Sequence, residues 1–286
     1  MLKISNSSGV HLKAGCFDSF LHLKELGYNA VDYQAFCTDC LSGLYTYDDK
    51  RFEEFLLRDK SDAEKLGLEI IQTHGLWPFD DRETELWQKK FDAMVKSIKG
   101  SAILGAEYVV IHPVMPTWWN ESPHHDEDVL ENIEYMRKLV PYAKEYGVKI
   151  ALENMPSKVV PCGTIKELID CIDTVDSEFL VACFDTGHCH VSEDVGEMTR
   201  KLSDRLKCLH IHDNDGTYDS HKMPYTSGTI DWDDFLAALR DIHYTGVMNL
   251  ECNPDKALPP EEYLQQEIWL KNMVERMAKQ VSDDHD

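Results

Sequence analysis

The sequence predicts a (β/α)8 barrel, one domain over residues 1–286, and three observations carry that expectation. Six apolar runs each end in a histidine or a carboxylate: Glu69–His74, Tyr108–His112, Lys149–Glu153, Leu180–Asp185, Leu206–His210 and Val247–Glu251. Their ends follow one another at intervals of 25 to 41 residues, the length of a strand plus a crossover helix. Between them lie segments with helical apolar spacing, with no break in composition. Parallel strands joined in this way put all six ends on one side of one sheet. A closed sheet would gather them at one mouth, where barrel enzymes carry their chemistry.

Each element has its own signal. The first strand is expected around His11–Phe17 and the second over Asn29–Phe36, where Asp32 stands among apolar neighbours; the six runs complete eight strands. Helices are expected over Asp49–Leu66, Glu83–Leu104 and Glu127–Tyr146, which stop at Gly67, Gly105 and Gly147. A fourth covers Thr164–Val175, where Thr164-Ile-Lys-Glu167 reads as a capping box. Val195–Leu206, Trp232–Ile242 and Pro260–Ala278 complete the helices, and the acidic end Ser282–Asp286 is expected to fray. An open doubly wound sheet is the alternative, but no glycine-rich phosphate fingerprint follows the first strand.

Composition excludes several classes of function. A net charge of −23 repels phosphate backbones, and the loops expected at the mouth are acidic or neutral, so no nucleic-acid partner is expected. No apolar run approaches the roughly 20 residues of a membrane span, so no membrane partner is expected either. The opening MLKISNSSGVHLKAG lacks the apolar core of a signal peptide. Nine cysteines, an odd number, include Cys171, Cys183, Cys208 and Cys252 inside apolar stretches, which points to a reduced, cytoplasmic protein. Cys37-Thr-Asp-Cys40 is a lone CxxC without the second pair a zinc site wants.

The residues with chemical potential stand at the run ends. Glu153 lies in Ala151-Leu-Glu-Asn-Met-Pro156, and Glu251 mirrors it in Leu250-Glu-Cys-Asn-Pro254. Two such glutamates can flank a substrate carbon, one removing a proton and the other delivering one. Asp185 and His188 can converge from one loop across Gly187. His210 and His212 alternate on one strand and share a face. Asp219 and His221, two apart, could chelate or form a plain polar loop. His74 and His112 precede loops with aromatic side chains, among them Trp77 and Trp118, which suit a sugar pocket, a lid or an oligomer contact. Three histidines and three carboxylates ending successive strands suit a divalent metal better than a core.

This ordered series, with ALENMP around Glu153, DTGH at Asp185–His188, His210 with Asp213 three positions on, Asp219-Ser-His221 and Glu251, resembles the xylose isomerase-like barrels over roughly residues 69–254. That group holds sugar isomerases and epimerases such as D-tagatose 3-epimerase and hydroxypyruvate isomerase, and endonuclease IV-type enzymes. The epimerase pattern implies Glu153, Asp185, His210 and Glu251 as metal ligands and Glu153 with Glu251 as the catalytic acid/base pair. It implies Mn²⁺, Co²⁺ or Mg²⁺, with Zn²⁺ as an option. His188, His74, His112, His221 and Trp118 then become substrate contacts. The endonuclease pattern instead recruits His74, His112, His188, Asp219 and His221 as additional metal ligands.

Departures mark both patterns. Tyr225–Thr229 stands where endonucleases carry Gly-Glu-Gly, and Lys158, Gly216 and Thr217 stand where ketohexose 3-epimerases carry an acid and an arginine. The expectation is a metal-dependent sugar isomerase or epimerase of carbohydrate metabolism, working through an enediolate on a small-molecule sugar. A homo-oligomer is compatible with it. The alternatives are a multi-zinc phosphodiesterase like endonuclease IV and a barrel subunit without turnover.

Overall fold

The computed structural model describes residues 1–7, 16–77, 86–115 and 121–282. Eight parallel strands form one sheet: β1 (Ile4–Ser7), β2 (Ala30–Tyr33), β3 (Glu69–His74), β4 (Tyr108–Ile111), β5 (Lys149–Glu153), β6 (Leu180–Asp185), β7 (Leu206–His210) and β8 (Met248–Leu250). Strands β1 to β7 pair in sequence order, and β1 also pairs with β8. Past the end of β7, Ile211 N donates to Asn249 O at 2.9 Å and accepts Glu251 N on its own carbonyl at 3.0 Å, which closes the ring.

The helices are α1 (Cys16–Leu26), α2 (Asp49–Lys65), α3 (Trp87–Leu104), α4 (His125–Tyr146), α5 (Ile165–Val175), α6 (Thr186–His190), α7 (Val195–Leu202), α8 (Trp232–Asp241) and α9 (Pro260–Ser282). Gly67, Gly105 and Gly147 do end helices, each with a positive φ that favours glycine. Thr164 caps α5 by accepting Glu167 N at 3.2 Å. The reciprocal half of the expected capping box is not made, because Glu167 reaches His125 Nε2 at 2.9 Å instead.

Several expectations need correction. The first strand is Ile4–Ser7, not His11–Phe17: residues 8–15 lie outside the described residues, and α1 begins at Cys16. The sequence ISNS is polar at three of its four positions, so it carries no apolar strand signal. Helix α7 stops at Leu202, where a 3-10 turn over Ser203–Arg205 hands the chain to β7. Trp118 lies outside the described residues, as do the first residues of the helix expected from Glu83.

The main core lies between barrel and helices, where Tyr33, Phe36, Phe52 and Phe20 are fully buried. Each such side chain stabilises the fold by about 1.5–3 kcal/mol. Gly100 lets α3 approach this group, since a Cβ there would meet the Phe36 ring at 2.5 Å. Inside the barrel the two halves differ. From β4 to β7 the interior holds a small apolar cluster of Val110, Ala151, Val181, Cys183 and Cys208. From β8 to β3 it holds buried Asn249, Ser5, Asp32 and Gln72.

Register places the run ends at one rim. Asp185 pairs with His210, Glu153 with Cys183 and His74 with Val110. Because side chains alternate, His112, Glu153, Asp185 and His210 turn inward one step above the apolar cluster.

Candidate metal centre

Glu153 ends β5 with its carboxylate 1% exposed and shared between two groups of side chains. Its Oε1 lies 3.1 Å from His210 Nδ1, and Glu251 Oε2 lies 3.1 Å from the same nitrogen. With Asp185, these residues bring four donor atoms within 4.8 Å of one another. On the other side, Glu153 Oε2 lies 2.9 Å from His112 Nε2 and 3.7 Å from His74 Nε2, and the two histidine nitrogens are 3.2 Å apart.

A second cluster sits toward the rim. Asp219 Oδ2 lies 3.3 Å from His188 Nε2 and 3.1 Å from His221 Nε2. His188 Nδ1 bonds Asn154 O at 2.7 Å, His221 Nδ1 bonds Glu251 O at 2.8 Å, and His74 Nδ1 bonds Gly75 O at 3.2 Å. A carbonyl only accepts, so each of these three rings carries its proton on Nδ1 and turns Nε2 inward. His221 holds a left-handed backbone, φ 43°, which costs a non-glycine residue stability and is fixed here by that carbonyl contact.

His212 also lies within reach of the outer cluster, its Nε2 3.6 Å from Asp219 Oδ1. Its ring stacks on His221 with centroids 3.9 Å apart and planes 13° from parallel. An ion in the plane of one ring would lie well outside the plane of the other, so both cannot bind one ion well. His212 Nε2 is instead 2.9 and 3.0 Å from the two Asp185 oxygens. We therefore read His212 as a partner of Asp185. Gly187 makes room for it, since a Cβ there would sit 1.9 Å from the imidazole.

Electrostatics follow from burial against these contacts. Burial pushes the Glu153 carboxyl up, but His210 and His112 more than offset it and hold it well below the usual carboxylate range. Glu251 is lowered on the same balance, burial being outweighed by His210. Burial pulls His188 down, yet Asp185, Asp219 and Glu153 leave it raised to about 10. For His221, Asp219 and Glu251 outweigh burial and raise it to about 9. His112 is lowered because burial wins over Glu153.

A divalent metal fits the donor set. Among the described residues no lysine or arginine pairs with Glu153, Asp185, Asp219 or Glu251; their ion-pair partners are histidines. Glu153 Oε2 and Asp219 Oδ1 are buried without a well-aligned hydrogen bond, despite the nearby imidazole nitrogens. Converging acceptors without a directed proton between them suit a shared cation. Donor spacings of 3.1 Å around His210 Nδ1 match what two metal bonds of about 2.1 Å impose. A cavity of about 750 Å³ opens at the other end of the barrel among Lys3, Tyr108 and Lys149, and holds none of these residues.

The structure brings together His74, His112, Glu153, Asp185, His188, His210, Asp219, His221 and Glu251. Sequence reasoning did not assign roles to Asp32, His212, Asn154 or Cys37. Asn154 links β5 to β6 by accepting Asp185 N at 2.8 Å and donating to Asp185 O at 3.0 Å. The Cys37 side chain, read only as half of a lone CxxC, is close enough to the His74 ring to bear on its charge. Asp32 left a signal as an acid inside an apolar strand, and His212 as the residue that shares a face with His210.

Comparison with known proteins agrees with this picture. A family model described as xylose isomerase-like TIM barrel matches residues 20–273. An uncharacterised protein of Methanocaldococcus jannaschii is 32% identical over 182 residues, 62% of this chain and 61% of that protein. Inosose isomerase of Bacillus licheniformis is 26% identical, covering 57% of this chain and 59% of that protein. A probable endonuclease 4 of Lysinibacillus sphaericus is 31% identical, covering 52% and 53%. The chain thus spans about three fifths or less of the length of these relatives. Two solved structures share the fold. A D-tagatose 3-epimerase-like protein superposes with a TM-score of 0.77 at 22% identity over 100% of both chains. The IolI protein with a bound zinc atom gives 0.74 at 18% over 100% of this chain and 99% of the other.

Proposed function

We propose, for a chain that belongs to the xylose isomerase-like TIM barrel family, a divalent-metal-dependent isomerase or epimerase acting on a sugar or a sugar-derived ketone. The observation that carries this reading is the placement of Glu153 and Glu251 on the same atom, each 3.1 Å from His210 Nδ1. Glu153, Asp185, His210 and Glu251 would hold the metal. A carboxylate-rich set of this kind favours Mn²⁺, Co²⁺ or Mg²⁺ and admits Zn²⁺, the metal in the IolI structure. The metal would supply Lewis-acid polarisation of a carbonyl and its neighbouring hydroxyl.

The chain's own groups do the rest. Glu153 and Glu251 are ionised at neutral pH, the form in which one carboxylate can take a proton from the carbon beside the carbonyl. The other, after taking a proton from solvent or a substrate hydroxyl, returns it to the opposite face or to the adjacent carbon. His188, His221, His74 and His112 line the same mouth and can bind substrate hydroxyls. Trp77 packs edge-on against His112 at 4.6 Å and adds an apolar wall for a sugar face. The relatives named as inosose isomerase and the epimerase-like fold neighbour support this substrate class. None of the described cysteines forms a disulfide, which supports a cytoplasmic setting.

The test is uptake of solvent deuterium. Metal-loaded protein is incubated in D₂O with a panel of ketoses, aldoses and keto-cyclitols, and label beside the carbonyl is read by NMR. Washed-in label with isomer formation supports the proposal. No label from any panel member overturns it.

A second reading is favoured by the further donor groups, His74 with His112 on Glu153 and His188 with His221 on Asp219. Three bound zinc ions would point to phosphodiester hydrolysis of the kind the endonuclease 4 relatives are named for. The net charge of −23 opposes a DNA substrate.

A further inference from the structure

Three of the inward-facing histidines are fixed by backbone carbonyls, and His210 is not. It is turned the other way, with Nδ1 toward Glu153 and Glu251 and Nε2 toward Asp32. There Nε2 faces Asp32 Oδ2 at 3.6 Å, both side chains being fully buried. His210 Nε2 and Asp32 Oδ1 each lack a hydrogen-bond partner. Buried polar atoms without partners are rare and costly, and here two of them belong to one facing pair.

Asp32 is itself held in place. Its Oδ2 accepts Asn249 Nδ2 at 3.3 Å and Gln34 Nε2 at 3.4 Å, and Asn249 Oδ1 accepts Ser5 Oγ at 2.6 Å. Strands β1, β8 and β2 thus build a polar column beneath one imidazole. The interior of β4 to β7 shows that apolar side chains can fill the same level.

We propose that Asp32 is the positioning residue of the metal centre: its carboxylate takes the Nε2–H of His210 and so presents Nδ1 to the metal. A metal at Nδ1 requires the proton on Nε2, where Asp32 stands. A carboxylate behind a histidine also strengthens it as a donor more than a neutral carbonyl can. The inference rests on the proposed ligand role of His210 and adds a group that touches neither metal nor substrate.

The experiment compares the wild-type chain with Asp32→Asn and Ser5→Ala. Co²⁺ affinity is measured by chelator competition, together with the visible spectrum of the Co²⁺ form. Asp32→Asn is expected to bind about 10–100-fold more weakly with shifted Co²⁺ bands. Ser5→Ala cuts the far end of the column and is expected to lose stability while keeping affinity and spectrum. Wild-type affinity and spectrum in a folded Asp32→Asn variant would overturn the inference and leave the metal centre standing. A wild-type chain that binds no metal would overturn both. Should Asp32→Asn not fold, ¹⁵N NMR of the Zn²⁺-loaded wild type decides: His210 protonated on Nε2 supports the role, and protonation on Nδ1 refutes it.

Discussion

The Trp232 indole donates from Nε1 to Asp213 Oδ2 at 2.9 Å, deep in the interior. Asp213 Oδ1 accepts Asn214 N at 2.8 Å and Ile230 N at 3.2 Å, so this carboxylate ties both ends of the loop that carries Asp219 and His221. The acid three positions after His210 is therefore a loop anchor rather than a ligand. Trp232→Phe removes only the donor, and is expected to cost about 1–3 kcal/mol in urea unfolding. Binding at His188, Asp219 and His221 should weaken more than binding at Glu153 and His210. Equal weakening of both would refute the anchoring role.

Glu153→Gln and Glu251→Gln remove one proton-transfer group each while keeping its size. If the proposed chemistry holds, kcat should fall about 10²–10⁴-fold with a smaller change in KM. Steady-state kinetics on the substrate found by deuterium uptake decide it. Near-wild-type kcat in both variants would remove the acid/base assignment.

The outer cluster should release protons when it takes a metal. In the metal-free protein His188 is raised to about 10 and His221 to about 9, so both imidazoles are protonated at pH 7.5. A metal needs the lone pair on Nε2. Apparent affinity should therefore rise with pH up to about 9–10, by about tenfold per unit for each proton displaced. Calorimetry in buffers of different ionisation enthalpy reads the protons directly. A heat that does not depend on buffer would show that these imidazoles stay protonated and do not coordinate.

A pH effect on stability is expected far from the mouth. His22 Nε2 on α1 lies 3.0 Å from Glu267 on α9, and hydrogen bonding to Glu267 raises the His22 value against the pull of burial. A raised folded value stabilises fully below the ordinary histidine value near 6.5, and the gain is lost as pH climbs through the folded value. His22→Gln should therefore cost about 0.5–1 kcal/mol at pH 5.5 and close to nothing at pH 9. Urea titrations at the two pH values check this. An equal loss at both would mean the contact is packing alone.

Much of the barrel was legible because burial on both faces makes strand sequences apolar, as in Val109–Ile111 and Ala182–Phe184. Strand β1 was not, because Ser5 hydrogen-bonds Asn249 in the interior and, with Asn6 and Ser7, leaves no hydrophobic trace. Each candidate ligand at a strand end could be read, since a charged residue after an apolar run is itself a signal. What could not be read was which nitrogen each histidine offers, because that depends on carbonyls such as Asn154 O and Glu251 O, far away in sequence. His212 shows the same limit. Its periodicity matched His210, and their roles are separated by the stacking on His221 and the contact with Asp185.

The lopsided interior of the barrel bears on how this chain can change. Val110, Ala151 and Val181 pack in one apolar cluster, so drift among aliphatic residues of similar volume would be tolerated there. At Ser5, Asp32 and Asn249 any single replacement strands a neighbour's donor or acceptor, and only paired changes restore it. Among descendants of this protein, one half of the barrel would accumulate substitutions one at a time. The other would stay frozen or move in concert, and a pairwise mutational scan would show the divide along the β3–β4 and β7–β8 seams.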